Sequence, residues 1–213
     1  MNLHGSHILE KIGKKKNIPY SPEELVEFEN DIVKRYEAGD ITGPIHLSSG
    51  NENELLHIFQ YIGQFDWVFS AWRNHYHALL HGISQDYLLE KILAGKSMGV
   101  ISNEPKFYSS SIVTGSIPAA LGVALSKKNK NDGQRVWCFI GDMTYETGVF
   151  WEAYKYSVNF NLPLTFVIED NGKSVTSDTQ SAWGRKMHLL QNVVYYKYEP
   201  SYPHHGTGTW VNF

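Results

Sequence analysis

Residues 136–173 read VWCFIGDMTYETGVFWEAYKYSVNFNLPLTFVIEDNGK, and this stretch decides the fold. Two apolar runs, Val136–Ile140 and Leu164–Ile168, have the length and the β-branched or aromatic content of buried strands. Between them Glu146–Phe160 is helix-compatible, with Val149, Phe150, Ala153, Tyr154 and Ser157 recurring at helical spacing. Strand, helix and strand in so short a span form a βαβ unit, so the two strands are expected to be parallel and buried on both faces. The fold class that follows is α/β, a doubly wound and mostly parallel sheet flanked by helices. Ligands in such sheets sit beyond the carboxyl ends of the strands. The first strand runs into Gly141-Asp142 and the second into Glu169-Asp170-Asn171, which brings a carboxylate and an amide to the same edge.

Asp142 offers a hard anionic oxygen, Asn171 a neutral carbonyl oxygen, and the backbone turning at Gly172-Lys173 a further carbonyl. A few protein oxygens suit Mg²⁺, which keeps its other positions for water and phosphate. A helix start expected near Thr144–Glu146 adds backbone N–H groups and a positive dipole end, which favour phosphate. A metal–diphosphate clamp and a pair of turn caps both fit the βαβ pattern, since Asp and Asn are ordinary turn residues.

Gly141-Asp142 followed by Asn171, at a separation of 171 − 142 = 29, is similar to the thiamine diphosphate motif of the 2-oxo acid dehydrogenase E1 α-subunits. In that motif G-D-G leads through a helix and a strand to E-N-N. Met143 stands at the third glycine and Asp170 at the first asparagine of the pair, while both side-chain ligands remain. The resemblance spans Gly43–Ser181. It implies a fold that binds thiamine diphosphate through its diphosphate, with Gly141, Asp142, Met143, Thr144, Asn171 and Lys173 as the cofactor edge. Asp142, Asn171 and the Lys173 carbonyl are the implied Mg²⁺ ligands.

The same resemblance continues upstream. His46, ahead of Ser49-Gly50-Asn51-Glu52, stands where the family has a histidine facing the reaction centre; Asn51 replaces the family's Gln. Ala71-Trp72-Arg73-Asn74-His75-Tyr76-His77-Ala78-Leu79 looks like the family's S-Y-R-D-H-G-H-A-L, in which the aromatic residue and the Arg reach the diphosphate. Arg73 has the chemistry for that, a permanent cation with a planar fork. His75 matches the first histidine of that motif, which implies that it either acts on substrate or orders the loop, and it is taken as an expected catalytic residue beside His46. A transition-metal site at His75 and His77 lacks a Cys or carboxylate companion and is set aside. Ser109–Pro118 resembles G-x-x-G-I-V-G-A-Q-x-P, which gives Ser111 and Val113 main-chain contacts to the cofactor's aminopyrimidine. The family's glycine-rich G-G-S-M-H segment is matched poorly by Ser97–Ile101, so no substrate contact is assigned there. Beyond Asn171 the chain is about one βα unit shorter than the family pattern. Val193–Tyr198 is the expected closing strand, and either His204 or His205 stands for the family's loop histidine, His205 being taken as the candidate.

Composition sets the outer bounds. The 213 residues suit one domain with a substantial core, and 42% hydrophobic with 19% charged residues is a globular balance. A net charge of −3 gives no nucleic-acid footprint. The single Cys138 lies in a buried strand, which excludes a disulfide framework. No apolar run approaches a membrane span and no signal-peptide pattern opens the chain, so a cytoplasmic location is expected. Residues 1–20, with Lys14-Lys15-Lys16, read as a polar solvated arm, and 21–213 as a single cofactor-binding domain. Ser21-Pro22-Glu23-Glu24 is a capping box that starts a helix ending near Glu37, with Leu25, Phe28, Ile32, Val33 and Tyr36 on its apolar face. Gly82–Lys96 reads as a helix with Leu88, Leu89, Ile92 and Leu93 inward, and Ser97–Tyr108 as loop. Trp210, Val211 and Phe213 form an apolar ending expected to pack against something.

The resemblance implies an E1-like α-subunit that decarboxylates a 2-oxo acid and passes on the acyl or aldehyde unit. A transketolase-like subunit adding a two-carbon unit to a sugar or other carbonyl is the alternative. A non-catalytic scaffold that keeps the fold is the third reading, and Arg73, Asp142 and Asn171 together weigh against it. The family draws its activating glutamate from a separate β chain carrying the pyrimidine-binding domain. A small-molecule substrate and an α₂β₂ assembly are therefore implied, an expectation that the 14% aromatic content also favours.

Overall fold

The structure, a computed structural model, describes residues 3–184 and 190–211. In chain order the elements are β1 (Leu3–His4), α1 (Ser6–Ile12), α2 (Pro22–Glu37), α3 (Glu52–Phe59), β2 (Trp67–Ser70), α4 (His75–His81), α5 (Gln85–Leu93), β3 (Ile101–Ser102), β4 (Phe107–Ser109), α6 (Ser116–Lys130), β5 (Val136–Gly141), α7 (Asp142–Tyr145), α8 (Gly148–Asn159), β6 (Leu164–Asp170), β7 (Lys173–Ser174), β8 (Ser177–Asp178), α9 (Thr179–Trp183) and β9 (Val193–Lys197).

Seven strands form one sheet in the order β1-β9-β6-β5-β2-β4-β3. The inner pairs are parallel, with Val136 opposite Leu164 and Ile140 opposite Ile168, as the two apolar runs require. The two edge pairs, β1 with β9 and β3 with β4, are antiparallel. Because side chains alternate along a strand, β5 feeds two cores. Trp137 and Phe139 join the core beneath α1–α5, which holds Leu9, Leu25, Leu55, Tyr76 and Leu88. Val136, Cys138 and Ile140 face the other way, toward Ile117 and Ala120 of α6 and Phe150 and Ala153 of α8. On α6 it is Ala120 and Ala124 that are fully buried in this core, whereas Ala119 and Gly122 are exposed. The chain passes from β2 to β4 in one direction and then returns across β2 to β5, β6 and β9. The winding reverses between β2 and β5, and a crevice opens at the carboxyl edge there.

Local signals behave as their chemistry dictates. Ser21 Oγ accepts the Glu24 N–H at 3.2 Å while Glu24 Oε2 accepts the Ser21 N–H at 2.7 Å, with Pro22 in the first turn. On α5, Leu88 and Ile92 are buried; Leu89 is only partly so and Leu93 is exposed, which narrows the expected apolar face. The expected loop at Ser97–Tyr108 holds β3 and the start of β4, strands too short to show an alternating pattern. Within the expected solvated arm, described residues pack onto the domain. Leu3–His4 extends the sheet against Tyr195-Tyr196, Ile8 and Leu9 are buried, and Lys16 Nζ donates to the Leu80 carbonyl at 2.9 Å. At the other end Val211 packs on the larger core and Trp210 is 88% exposed; Phe213 lies outside the described residues. Among the described residues no helix is long and apolar enough to cross a membrane.

Candidate functional site

The carboxyl ends of β2, β5, β6 and β9 meet around one pocket. It is lined by Ala71, Trp72 and Arg73 after β2, by Gly141 to Thr144 after β5, by Glu169, Asn171, Lys173 and Ser174 after β6, and by Tyr198 and His204 after β9; Val113 closes one side. Of the residues expected to bind cofactor or metal, Trp72, Arg73, Val113, Gly141, Asp142, Met143, Thr144, Asn171 and Lys173 are gathered here. Ser111 is exposed and stands outside the lining.

Asp142 is the first residue of α7, directly after β5, so its backbone sits at a helix start whose N–H groups have no intrahelical acceptor. This differs from the helix start expected at Thr144–Glu146. The chain makes two helices, and the second, α8, is capped separately by Thr147 Oγ1, which accepts the Phe150 N–H at 3.3 Å. Asp142 is 2% exposed, and its Oδ2 accepts a hydrogen bond from the Thr179 hydroxyl. Thr179, at the start of α9, also donates its N–H to the Gly172 carbonyl at 3.0 Å, so one residue ties Asp142 to the turn after β6. In that turn Asn171 Oδ1 accepts the Lys173 N–H at 3.0 Å and Asp170 Oδ1 accepts the Gly172 N–H at 2.8 Å. The φ of Gly172 is +74°, a region that glycine enters without steric cost.

Arg73 extends its guanidinium between two backbone segments, donating from Nη1 to the Leu47 carbonyl and from Nη2 to the His204 carbonyl at 3.2 Å. Those segments run together. Ser49 Oγ accepts the Ser201 N–H at 3.1 Å, Gly206 N–H donates to the Ile45 carbonyl at 2.9 Å, and a Cβ on Gly50 would stand 2.1 Å from the Glu199 carbonyl oxygen. Only a glycine permits that approach. The same pairing stacks His46 near Trp72 at 5.9 Å and edge-on to His204 at 5.1 Å between ring centroids. His46 is 7% exposed and its Nδ1 has no hydrogen-bond partner. Burial, then the positive fields of Arg73, His204 and His205, push its pKa down to about 3, so it is a neutral imidazole at physiological pH.

None of the three expected catalytic histidines lines the pocket, and His46 reaches it only through its contacts with Trp72 and His204, which do. His205 is exposed and lines the adjoining groove with His204, not the pocket itself. His75 is fully buried, its Nδ1 2.8 Å from Glu29 Oε1 and its Nε2 2.8 Å from Ser97 Oγ, and it does not reach the pocket. His77 goes to a different carboxylate, with Nε2 3.1 Å from Glu169 Oε1 and Nδ1 2.7 Å from Ser70 Oγ. The two rings therefore share no ligand position, and among the described residues no three His, Cys, Asp or Glu side chains group for a metal ion. Glu169, Tyr198 and Thr179 are site residues that sequence reasoning missed. Glu169 was legible as the polar end of a buried strand, whereas Thr179 and Tyr198 reach the site only through the fold.

The donor set fits a diphosphate with a hard divalent cation. It pairs a buried carboxylate with an amide oxygen and a guanidinium in one pocket, and Mg²⁺ needs few protein oxygens when phosphate supplies the rest.

Comparison with known proteins agrees with the motif reading. Residues 21–195 match the family model described as dehydrogenase E1 component. The pyruvate dehydrogenase E1 component subunit alpha of Zymomonas mobilis subsp. mobilis is 30% identical over 167 residues, covering 73% of this chain and 47% of that protein. The subunit of the same name from Rickettsia bellii is 27% identical over 175 residues, covering 77% of this chain and 54% of its own length. A solved structure from Mycobacterium smegmatis, described as a thiamin diphosphate-dependent enzyme, covers 55% of this chain and 20% of its own at 17% identity and a TM-score of 0.38, too slight a likeness to rest an argument on. The chain spans about half the length of the curated relatives it matches. With most of its length inside the matched region, it belongs to the dehydrogenase E1 component family.

Proposed function

We propose that this chain is the α component of a thiamine diphosphate- and Mg-dependent enzyme, E1-like, that decarboxylates a 2-oxo acid and passes on the acyl or aldehyde unit. The observation that carries the reading is the convergence of Arg73, Asp142 and Asn171 in one pocket at the reversal of the sheet's winding. Asp142, Asn171 and the Lys173 carbonyl would hold the cation. Arg73 and the backbone N–H groups around Met143 and Thr144 would bind diphosphate oxygens. Trp72 would pack against the cofactor, and Ser111 and Val113 would meet its aminopyrimidine by main chain. When bound, thiamine diphosphate supplies a nucleophilic ring carbon and stores the electron pair left by loss of carbon dioxide. His46, neutral and stacked against the lining residues Trp72 and His204, would contribute as a hydrogen-bonding group beside the reaction centre and not as a proton acceptor, since a pKa of about 3 is too low for a base. His205 would serve from the adjoining groove beside His204, and His75 would act indirectly, through Ser97, which also holds Asn74.

Residues 21–213 are read as one cofactor-binding domain that needs a separate β subunit to complete the reaction centre, in an α₂β₂ assembly. Ile112 and Val113 (70% and 46% exposed) and Trp183 (57%) crowd the pocket side of the molecule, with Trp183 Nε1 3.0 Å from Met143 Sδ, an exposed apolar group that a partner would cover. A free, buried Cys138, whose thiol burial pushes up to about 12, fits a reducing compartment such as the cytoplasm.

The test is co-expression with the product of a neighbouring gene, followed by light scattering on a sizing column and a 2-oxo acid decarboxylation assay. The reading expects a stable complex that decarboxylates and a lone chain that does not. A lone chain turning over at about 1 s⁻¹ or faster would overturn the partner requirement. A complex that transfers two-carbon units between sugars and ignores 2-oxo acids would favour the transketolase-like alternative.

A further inference from the structure

Strand β9 carries Tyr195-Tyr196-Lys197, with Tyr198 just past its end, beside Glu169-Asp170 at the end of β6, with Glu169 opposite Tyr196 and Asp170 opposite Lys197. Successive side chains leave a strand on opposite faces. Tyr196 lies in the core under α1–α5 and its hydroxyl donates to Glu169 Oε1. Tyr195 packs on the opposite core and its hydroxyl donates to Asp170 Oδ2. One tyrosine thus grips the edge from each face of the sheet. A third, Tyr198, lines the pocket, and its N–H donates to the Asp170 carbonyl at 2.9 Å.

The gripped residues set the geometry of the turn. Asp170 Oδ1 receives the Gly172 N–H at 2.8 Å, and Asn171 Oδ1 receives the Lys173 N–H at 3.0 Å. Glu169 Oε1 takes two further donors, Asn51 Nδ2 at 3.2 Å and His77 Nε2 at 3.1 Å, while the residue itself lines the pocket. A carboxylate pinned at one oxygen by three groups, next to a turn pinned by another, is a preorganised edge for a cation.

We propose that Tyr195 and Tyr196 are positioning residues, which hold Asp170 and Glu169 so that the Asn171–Lys173 turn presents its oxygens to a divalent cation carrying a diphosphate. The inference rests on the metal–diphosphate reading of the pocket. Neither tyrosine touches the ligand; both act through the carboxylates.

The experiment measures Mn²⁺ binding in the presence of inorganic pyrophosphate, by paramagnetic resonance. It uses the wild-type chain, Tyr195→Phe, Tyr196→Phe, Asp170→Asn and the Tyr195→Phe/Asp170→Asn double variant, with urea midpoints as folding controls. Each single variant is expected to bind Mn²⁺–pyrophosphate about tenfold more weakly, the order expected when a hydrogen bond to a charged group is lost. The double variant should be no weaker than the weaker single one, because both changes break one coupling. Phe variants that bind as wild type, or effects that multiply in the double variant, overturn the inference and leave the pocket reading standing. A wild-type chain that binds no Mn²⁺–pyrophosphate overturns both. Asp170→Asn keeps the acceptor for Gly172, so it reads the same coupling if Tyr195→Phe does not fold, and unchanged binding there refutes it too.

Discussion

Replacing His46 with Gln should flatten the acid side of the stability profile. The folded chain holds this imidazole at a pKa of about 3, mainly by burial and next by Arg73. An unfolded chain takes up the proton near the ordinary value of about 6.5. The folded value is the lower one, so the stabilisation is present above about pH 6.5 and is lost as pH falls toward 3. Between pH 6.5 and 5 the unfolded state gains about 1.4 kcal/mol per pH unit, so this group withdraws about 2 kcal/mol of stability by pH 5. His81, held near 4 by burial, has the same sign and is present in both proteins, so the difference between wild type and variant isolates His46. The assay is urea unfolding at pH 7 and pH 5, followed by circular dichroism. Wild type should lose about 2 kcal/mol more than His46→Gln over that interval. Equal losses would mean that the imidazole titrates normally in the folded chain, and the neutral role given to it beside the pocket would be wrong.

Arg73→Ala should weaken thiamine diphosphate binding by about 1.5–3 kcal/mol, the order of a charge-assisted hydrogen bond, as read by calorimetry with folding checked by circular dichroism; unchanged affinity would remove Arg73 from the site. Glu29→Ala should lower stability by at least about 1–3 kcal/mol in urea unfolding, because it strands the fully buried Nδ1 of His75, and a neutral result would mean that water replaces the carboxylate.

The inner sheet was legible because its strands are buried on both faces. Val136–Ile140 and Leu164–Ile168 are continuous apolar runs, and such runs leave few alternatives. The pocket was legible for the same reason, since the residues just past those runs must emerge at the carboxyl edge. What escaped was set by contacts distant in sequence. Two-residue strands such as Leu3–His4 and Ile101–Ser102 carry no period, and the lysines of residues 14–16 hide the burial of Ile8 and Leu9. Glu29 carried a signal that was there to be used: it sits four residues after Leu25 and three before Ile32, on the apolar face of α2, and is 1% exposed. A charged residue on that face needs a buried partner, which is His75. Assigning His75 to the pocket followed motif order, whereas its side chain leaves α4 on the side toward α2. The tyrosines of β9 looked like ordinary strand residues, and only the register against β6 gives their hydroxyls acceptors.

The central claim is that this pocket binds thiamine diphosphate through a divalent cation held by Asp142. The direct measurement is calorimetric titration of thiamine diphosphate into the wild-type chain and into Asp142→Ala, each with Mg²⁺ and with a chelator, using the complex where co-expression yields one. Binding should appear for wild type with Mg²⁺, vanish with the chelator, and be absent from Asp142→Ala under both conditions, since the cation loses its charged side-chain ligand. Equal affinity in the two proteins, or wild-type binding indifferent to the chelator, would contradict the account.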